Sequence, residues 1–163
     1  DFYQGGGLDQ AFLGFAESDP EGNVNVSKFG PKLPGCGGFI DISQNAKQVF
    51  FCGTFTAKGL KVEVKDGQLH ILQDGSISKF QQSIEHITFS AKTAIKNNLP
   101  VTYITERAVF TLSKEGLVLS EIAPGVDLKK DILAKMPMRP IIPENLKTMD
   151  ERIFRDEPMG LGK

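Results

Sequence analysis

Tryptophan is absent from the 163 residues, and cysteine and histidine occur only twice each, as Cys36, Cys52, His70 and His86. Two cysteines outside any CxxC pairing exclude a disulfide scaffold. A chain of this length needs none, because it can bury roughly two thirds of its unfolded surface. Structural zinc ligands sit a few residues apart within each half of a site, whereas these four side chains are all at least sixteen residues apart. The expectation is no metal centre and two buried thiols in a reducing cytoplasm. An excess of one charge is missing too: 19 Lys+Arg face 20 Asp+Glu for a net charge of −1, so no global field draws nucleic acid. Apolar runs are short, Val49-Phe50-Phe51-Cys52 being an example, and a bilayer span needs about 20 residues. No membrane helix is expected. The opening Asp1-Phe2-Tyr3-Gln4 lacks an initiator Met and the basic, then apolar start of a signal peptide. A chain that begins within a longer cytoplasmic protein is therefore expected.

What is present reads as one globular domain, with 40% hydrophobic and 24% charged residues. Ala11 to Ala16 is a short apolar run with two aromatics and predicts a buried strand. Asp19-Pro20-Glu21-Gly22-Asn23 is turn chemistry, and Val24 to Ser27 alternates after it, so the two segments suggest a hairpin. Phe39 to Ala46 has a helical pattern, with Phe39, Ile42 and Ala46 on one face. Val49 to Phe55 reads as a buried strand. Leu60 to Val64 and Gln68 to Leu72 alternate around Asp66-Gly67, a strong hairpin signal.

Further on, Ile84 to Phe89 reads as a strand, Ala91 to Asn98 as a short helix, and Val101 to Leu112 as one long strand. Glu115-Gly116 turns the chain into Leu117 to Ile122. Pro124-Gly125 stops that strand, and Asp127 caps a helix expected to run to about Met136. Prolines 137, 140, 143 and 158 mark residues 137–163 as an extended C-terminal tail, packed on a partner surface, behind a domain of residues 1–136. Strands with interleaved helices predict an α/β class with a mixed sheet.

Glycine, 17 residues in all, concentrates most tellingly in Gly35-Cys36-Gly37-Gly38-Phe39, between a proline-bearing loop and a helix start. Glycines let backbone N–H groups converge without interference from Cβ, and a helix start adds unpaired N–H groups. The combination suits an anion or an oxyanion. The same pattern also serves tight packing or a turn. It is not the dinucleotide fingerprint, because position 40 is Ile40 where a third glycine is needed.

Several blocks in order carry a resemblance. They are Asp1 to Asp9, Gly22 to Gly30, Gly35-Cys36-Gly37-Gly38-Phe39-Ile40-Asp41-Ile42, Phe51 to Thr56, Ile104-Thr105-Glu106-Arg107-Ala108-Val109-Phe110, Glu121 to Asp127 and Met159-Gly160-Leu161. Together they resemble the family I coenzyme A-transferases, the bacterial acetoacetate, propionate and short-chain acyl-CoA:acetate enzymes, over nearly the whole chain. The resemblance implies their α/β fold, shared with sugar-phosphate isomerase relatives and here an incomplete domain. It implies ping-pong transfer of CoA between short-chain acids, with coenzyme A as a substrate and no permanently bound cofactor. A glutamate carboxylate attacks the acyl-CoA and becomes a glutamyl-CoA thioester, which the second acid then discharges. The backbone N–H groups of Gly37 and Gly38 would hold the oxyanion. Gly35, Asn25, Lys28 and Asn45 are the candidates for contacting CoA, although loop residues of this kind are also simply solvated. The rest of the enzyme, as chain or subunit, would be the partner, in a homo-oligomer without nucleic acid or membrane.

The family's nucleophile lies in a Glu-Ser-Gly or Glu-Asn-Gly turn upstream of the glycine block, and this sequence contains neither tripeptide. The chain thus resembles the C-terminal part of the second catalytic half and is expected to be inactive alone. Glu106 could be a substitute nucleophile or half of a structural ion pair with Arg107. His70 reads as a solvated strand residue, and Glu85-His86 has no nucleophile beside it. Two further readings differ in class. A non-catalytic CoA- or acyl-binding domain fits the missing glutamate, and a sugar-phosphate isomerase relative would use the glycines to hold phosphate.

Overall fold

Large apolar side chains at alternate positions of neighbouring strands, Phe51, Tyr103 and Phe110 among them, are completely buried on one face and organise the fold. The computed structural model describes residues 5, 7–26 and 38–162. Its first elements are β1 (Ala11–Gly14), β2 (Glu17–Ser18), β3 (Val24–Asn25), α1 (Phe39–Asn45), β4 (Val49–Cys52) and β5 (Thr56–Ala57). There follow β6 (Lys61–Lys65), β7 (Gln68–Gln73), β8 (Ile77–Ser78), α2 (Ala91–Lys96), β9 (Val101–Ile104), β10 (Ala108–Ser113), β11 (Gly116–Ile122) and β12 (Lys147–Thr148). The main sheet has the order β1-β4-β9-β10-β11-β12. β1, β4 and β9 are parallel, β9, β10 and β11 antiparallel, and β12 is parallel to β11. The mixed α/β sheet is therefore as read, with α1 and α2 leading into β4 and β9.

Helix α1 runs against the strands it precedes. Its first residue, Phe39, stacks on Phe51 at 5.9 Å between ring centres, while Lys47, just past its end, donates its N–H to the Leu8 carbonyl ahead of β1 at 3.0 Å. The amino end of α1 thus lies toward the carboxyl ends of the parallel strands. A cluster of Phe15, Phe51, Phe55, Phe80, Phe89, Tyr103 and Phe110 fills the core behind them. Burying each such ring contributes roughly 1.5–3 kcal/mol.

Several sequence expectations need correction. Val101 to Leu112 is not one strand but two, because Thr105 reverses the chain without Gly or Pro. Its N–H donates to the Ala108 carbonyl at 2.9 Å, and its Oγ1 accepts from the Ala108 N–H at 3.0 Å. A threonine side chain that imitates backbone partners makes a turn that composition does not announce. The first hairpin is formed by β2 and β3, whereas β1 pairs with β4. Ile84 to Phe89 forms no strand beyond a single bridge between Phe89 and Val24, and Ile87 is exposed. Asp127 does cap the chain, accepting from the Lys130 N–H at 2.7 Å. The winding that follows is a π turn (Leu128–Ile132) and then a 3-10 turn (Leu133–Lys135) rather than one helix. Cys52 is exposed, not buried. Cys36 lies outside the described residues.

Residues 137–162 run largely extended along this same chain. Ile141 bridges Val118, β12 pairs with β11, and Met138, Met149 and Phe154 are buried. At the hairpin of β6 and β7, Asp66 and Gly67 both take positive φ, 54° and 76°, the pairing that a two-residue primed turn requires.

Candidate active site

In open sheets with parallel strands, ligands gather at the carboxyl ends. Here those ends deliver Phe15 after β1, Gly53 after β4 and Glu106 after β9. Gly53 is where the chain needs to be thin: a Cβ there would stand 3.0 Å from Lys79 Nζ and 3.2 Å from the Phe15 ring. Lys79 follows β8, is half-buried, and donates from Nζ to the Phe15 carbonyl at 3.2 Å. Desolvation holds its pKa below the usual lysine value, and the Glu106 charge works in the opposite direction.

Glu106 is committed to structure. Its Oε2 accepts the Phe55 N–H at 2.7 Å and its Oε1 accepts Arg107 Nε at 2.6 Å. Arg107 is completely buried and lies 4.9 Å over the Phe55 ring. Its Nη1 donates to the Asp131 carbonyl at 3.1 Å and approaches Asp74 Oδ1 at 2.7 Å, too poorly aligned for a hydrogen bond. Lys135 Nζ stands 3.3 Å from Asp74 Oδ2. Of the two readings of Glu106, the ion pair is the one observed. A carboxylate with both oxygens engaged is poorly placed to attack a thioester.

Asn25 is buried at the same end of the sheet. Its carbonyl accepts the Ala16 N–H at 3.0 Å and its Nδ2 donates to Glu17 Oε2 at 3.1 Å. Gly38 sits at the amino end of α1 with φ −78° and no side-chain cap, and an added Cβ would meet only Ile42, at an ordinary 3.6 Å. Neither its own backbone nor its neighbours among the described residues therefore require glycine. Lys28, Gly35 and Gly37 lie outside the described residues. Asn45 is apart from this group: it donates to the Asp41 carbonyl at 2.7 Å on the last turn of α1, toward the amino ends of the strands. There it lines a cavity of about 580 Å³ with Ser43, Thr88, Thr93 and Asn97.

His70 and His86 are both exposed. Among the described residues no group of three or more His, Cys, Asp or Glu side chains is placed to hold a metal ion. Cys52, last in β4, has a thiol that desolvation pushes up, the opposite of activation. Sequence reasoning missed Lys79, which belongs to no motif. Only its place after β8 brings it to Phe15 and Gly53.

The sequence is 58% identical over 160 residues to acetate CoA-transferase YdiF of Escherichia coli K12, matching 98% of this chain and 30% of that protein. It superposes with a TM-score of 0.95 on the thioester complex with CoA of the acyl-CoA transferase YdiF of E. coli O157:H7, again at 58% identity, over 98% of this chain and 31% of that one. The chain belongs to the coenzyme A-transferases. The caffeate CoA-transferase of Acetobacterium woodii is 46% identical over 166 residues, matching 99% of this chain and 32% of that transferase. This coenzyme A-transferase chain thus spans about a third of the length of these two curated relatives. No family model matches it. Among its described residues no helix is long and apolar enough to cross a membrane.

Proposed function

We propose that this chain supplies the oxyanion loop and part of the substrate-binding wall of an acyl-CoA:carboxylate CoA-transferase for short-chain acids. The observation that supports the reading most is the 58% identity across 98% of the chain to a transferase whose fold it superposes on, including a thioester complex with CoA. Its placement agrees: the amino end of α1, Asn25 and Gly53 all lie toward the carboxyl ends of the parallel strands.

In this reading a glutamate from the remainder of the enzyme, in the same chain or another subunit, attacks the thioester carbonyl. Negative charge develops on the carbonyl oxygen, and the N–H groups of Gly37 and Gly38 receive it. The CoA thiolate leaves, giving an anhydride between the acyl group and the glutamate. The thiolate then attacks the glutamyl carbonyl, and the first acid departs as its carboxylate. The second acid reverses the two steps to take up CoA and free the glutamate. Gly35, Asn25 and Lys28 would lie along the CoA chain. Coenzyme A enters as substrate, so the site needs no resident cofactor.

The test is Gly37→Ala in a full-length transferase carrying this sequence. Loss of one oxyanion donor typically lowers turnover by on the order of a hundred- to thousandfold. The donor acts only in the transition state, so the loss should fall on kcat with little change in KM. Wild-type turnover from a normally folded Gly37→Ala protein would overturn the assignment. The 163-residue chain itself, incubated with acetyl-CoA, should show no covalent CoA adduct by intact mass, because it lacks the nucleophile's tripeptide. An adduct on any of its glutamates would show that the nucleophile resides within it.

A further inference from the structure

Among the described residues, Lys79 at the carboxyl ends of the parallel strands is a half-buried cation that no ion pair engages. An ammonium carries three donors, and Lys79 Nζ gives one to the Phe15 carbonyl at 3.2 Å. Glu106 is the acid whose charge acts on it, yet the Glu106 oxygens already serve the Phe55 N–H and Arg107 Nε. Among the described residues no ion pair links Lys79 to a carboxylate. Nζ lies 5.1 Å from the centre of the Phe15 ring, and a Cβ added at Gly53 would stand only 3.0 Å from it, so glycine at that position is what lets the ammonium approach the end of β4. A half-buried ammonium in such a setting raises the energy of its own charged form, and an incoming anion relieves that cost.

We propose that Lys79 binds the carboxylate of a short-chain acid at the carboxyl ends of β1 and β4. The single ammonium and the flanking phenyl ring fit a monocarboxylate with an apolar tail. A phosphate carries more charge and is held by forked guanidinium groups or several N–H donors, which this position lacks among the described residues. The role of that acid as the one exchanging CoA rests on the function proposed above. The site itself does not.

The experiment uses the 163-residue chain with its lysines labelled at 13Cε, the Lys79 resonance being assigned by its loss in Lys79→Arg. Titration with sodium propionate should shift that resonance saturably and raise the Lys79 pKa, since a bound carboxylate favours the ammonium. Sodium chloride and sodium phosphate at equal ionic strength should leave it in place. Equal movement with chloride, or saturation by phosphate in preference to propionate, would overturn the proposal. A second readout uses the full-length transferase. Lys79→Met should raise the KM for the free acid at least about tenfold, as expected for one lost charge-assisted hydrogen bond, and leave the KM for acyl-CoA unchanged. Lys79→Arg should recover part of the loss. A full-length protein that transfers no CoA while its Lys79 still responds to propionate refutes the function and leaves the site standing. Normal transfer kinetics in Lys79→Met, together with a Lys79 resonance in the unsubstituted chain that propionate does not move, refutes the site and leaves the function standing.

Discussion

The two ends of the parallel strands have been built on different terms. At the amino end, α1 and α2 part around a cavity of about 580 Å³ whose lining is nearly all neutral, with Lys47 as its one ionisable side chain. That lysine pairs with Asp9 at 2.6 Å in an exposed position. At the carboxyl end Arg107 and Lys79 are drawn over the Phe55 and Phe15 rings, Glu106 and Asp74 flank Arg107, and Arg107 loses all contact with solvent. The amino-end cavity is roomy but carries little chemistry. Buried charge, which folding tolerates only when something holds it in place, is what marks the carboxyl end as the candidate site.

Breaking each end in turn should show the asymmetry. Arg107→Met strands Glu106 and Asp74 beside the core, and removing one partner of a buried pair typically costs about 3–5 kcal/mol. Urea unfolding should register that loss in full, while Lys47→Met at the other end should leave the midpoint unchanged. Equal behaviour of the two variants would erase the distinction. Glu106→Gln is milder, because the amide can still accept from the Phe55 N–H. It removes the charge that holds the Lys79 pKa up, so that pKa should fall further below the ordinary lysine value. A 13Cε titration that shows it unmoved, or raised, would mean that the two side chains do not communicate.

Asn45→Ala tests the opposite end. It was a candidate for CoA contact from its place after the glycine block, yet it lies toward the amino ends, bonded within its own helix. Its removal should leave both KM values of the full-length enzyme within about twofold, as for surface changes generally. A tenfold rise in the KM for acyl-CoA would restore it to the site. The smallest effect concerns Asp150, whose carboxylate accepts from the Arg152 side chain and N–H and is held down to about 2. A lowered carboxylate pKa stabilises the fold above the ordinary value of 3.8, and the contribution is lost as pH falls toward 2. Hydrogen exchange at the Gly67 amide, bonded to the Phe154 carbonyl in the same C-terminal turn, should quicken over that window in the native protein. Asp150→Asn should remove the pH dependence.

Much of the architecture was legible because it follows from local chemistry. The Asp66-Gly67 turn, the start of α1 after Gly38 and the Asp127 cap stand where the sequence places them. Elements decided by tertiary company were not legible. Thr105 turns the chain only because its side chain finds Ala108, and Ile84 to Phe89 reaches a strand only through the single Phe89–Val24 bridge. Of the candidate site, the glycine block carried the resemblance. Lys79 carried nothing, since a lone lysine before a phenylalanine becomes informative only when Phe15 and Gly53 are folded against it.

The contact between Gly67 and Phe154 also bears on how the protein comes into being. The Gly67 N–H, at the tip of the β6–β7 hairpin, donates to the Phe154 carbonyl at 2.9 Å, and Leu69 packs in a small cluster with Met149 and Phe154. On a ribosome the hairpin emerges long before the residues that fasten it, because strands β9 to β12 must be made in between. Local pairing can form early, but contacts of such sequence separation must wait for the intervening chain. Leu69 is thus an apolar surface in waiting while β9 to β12 are being made, and the 3-10 turn Glu151–Phe154 is the latch whose arrival ends that exposure.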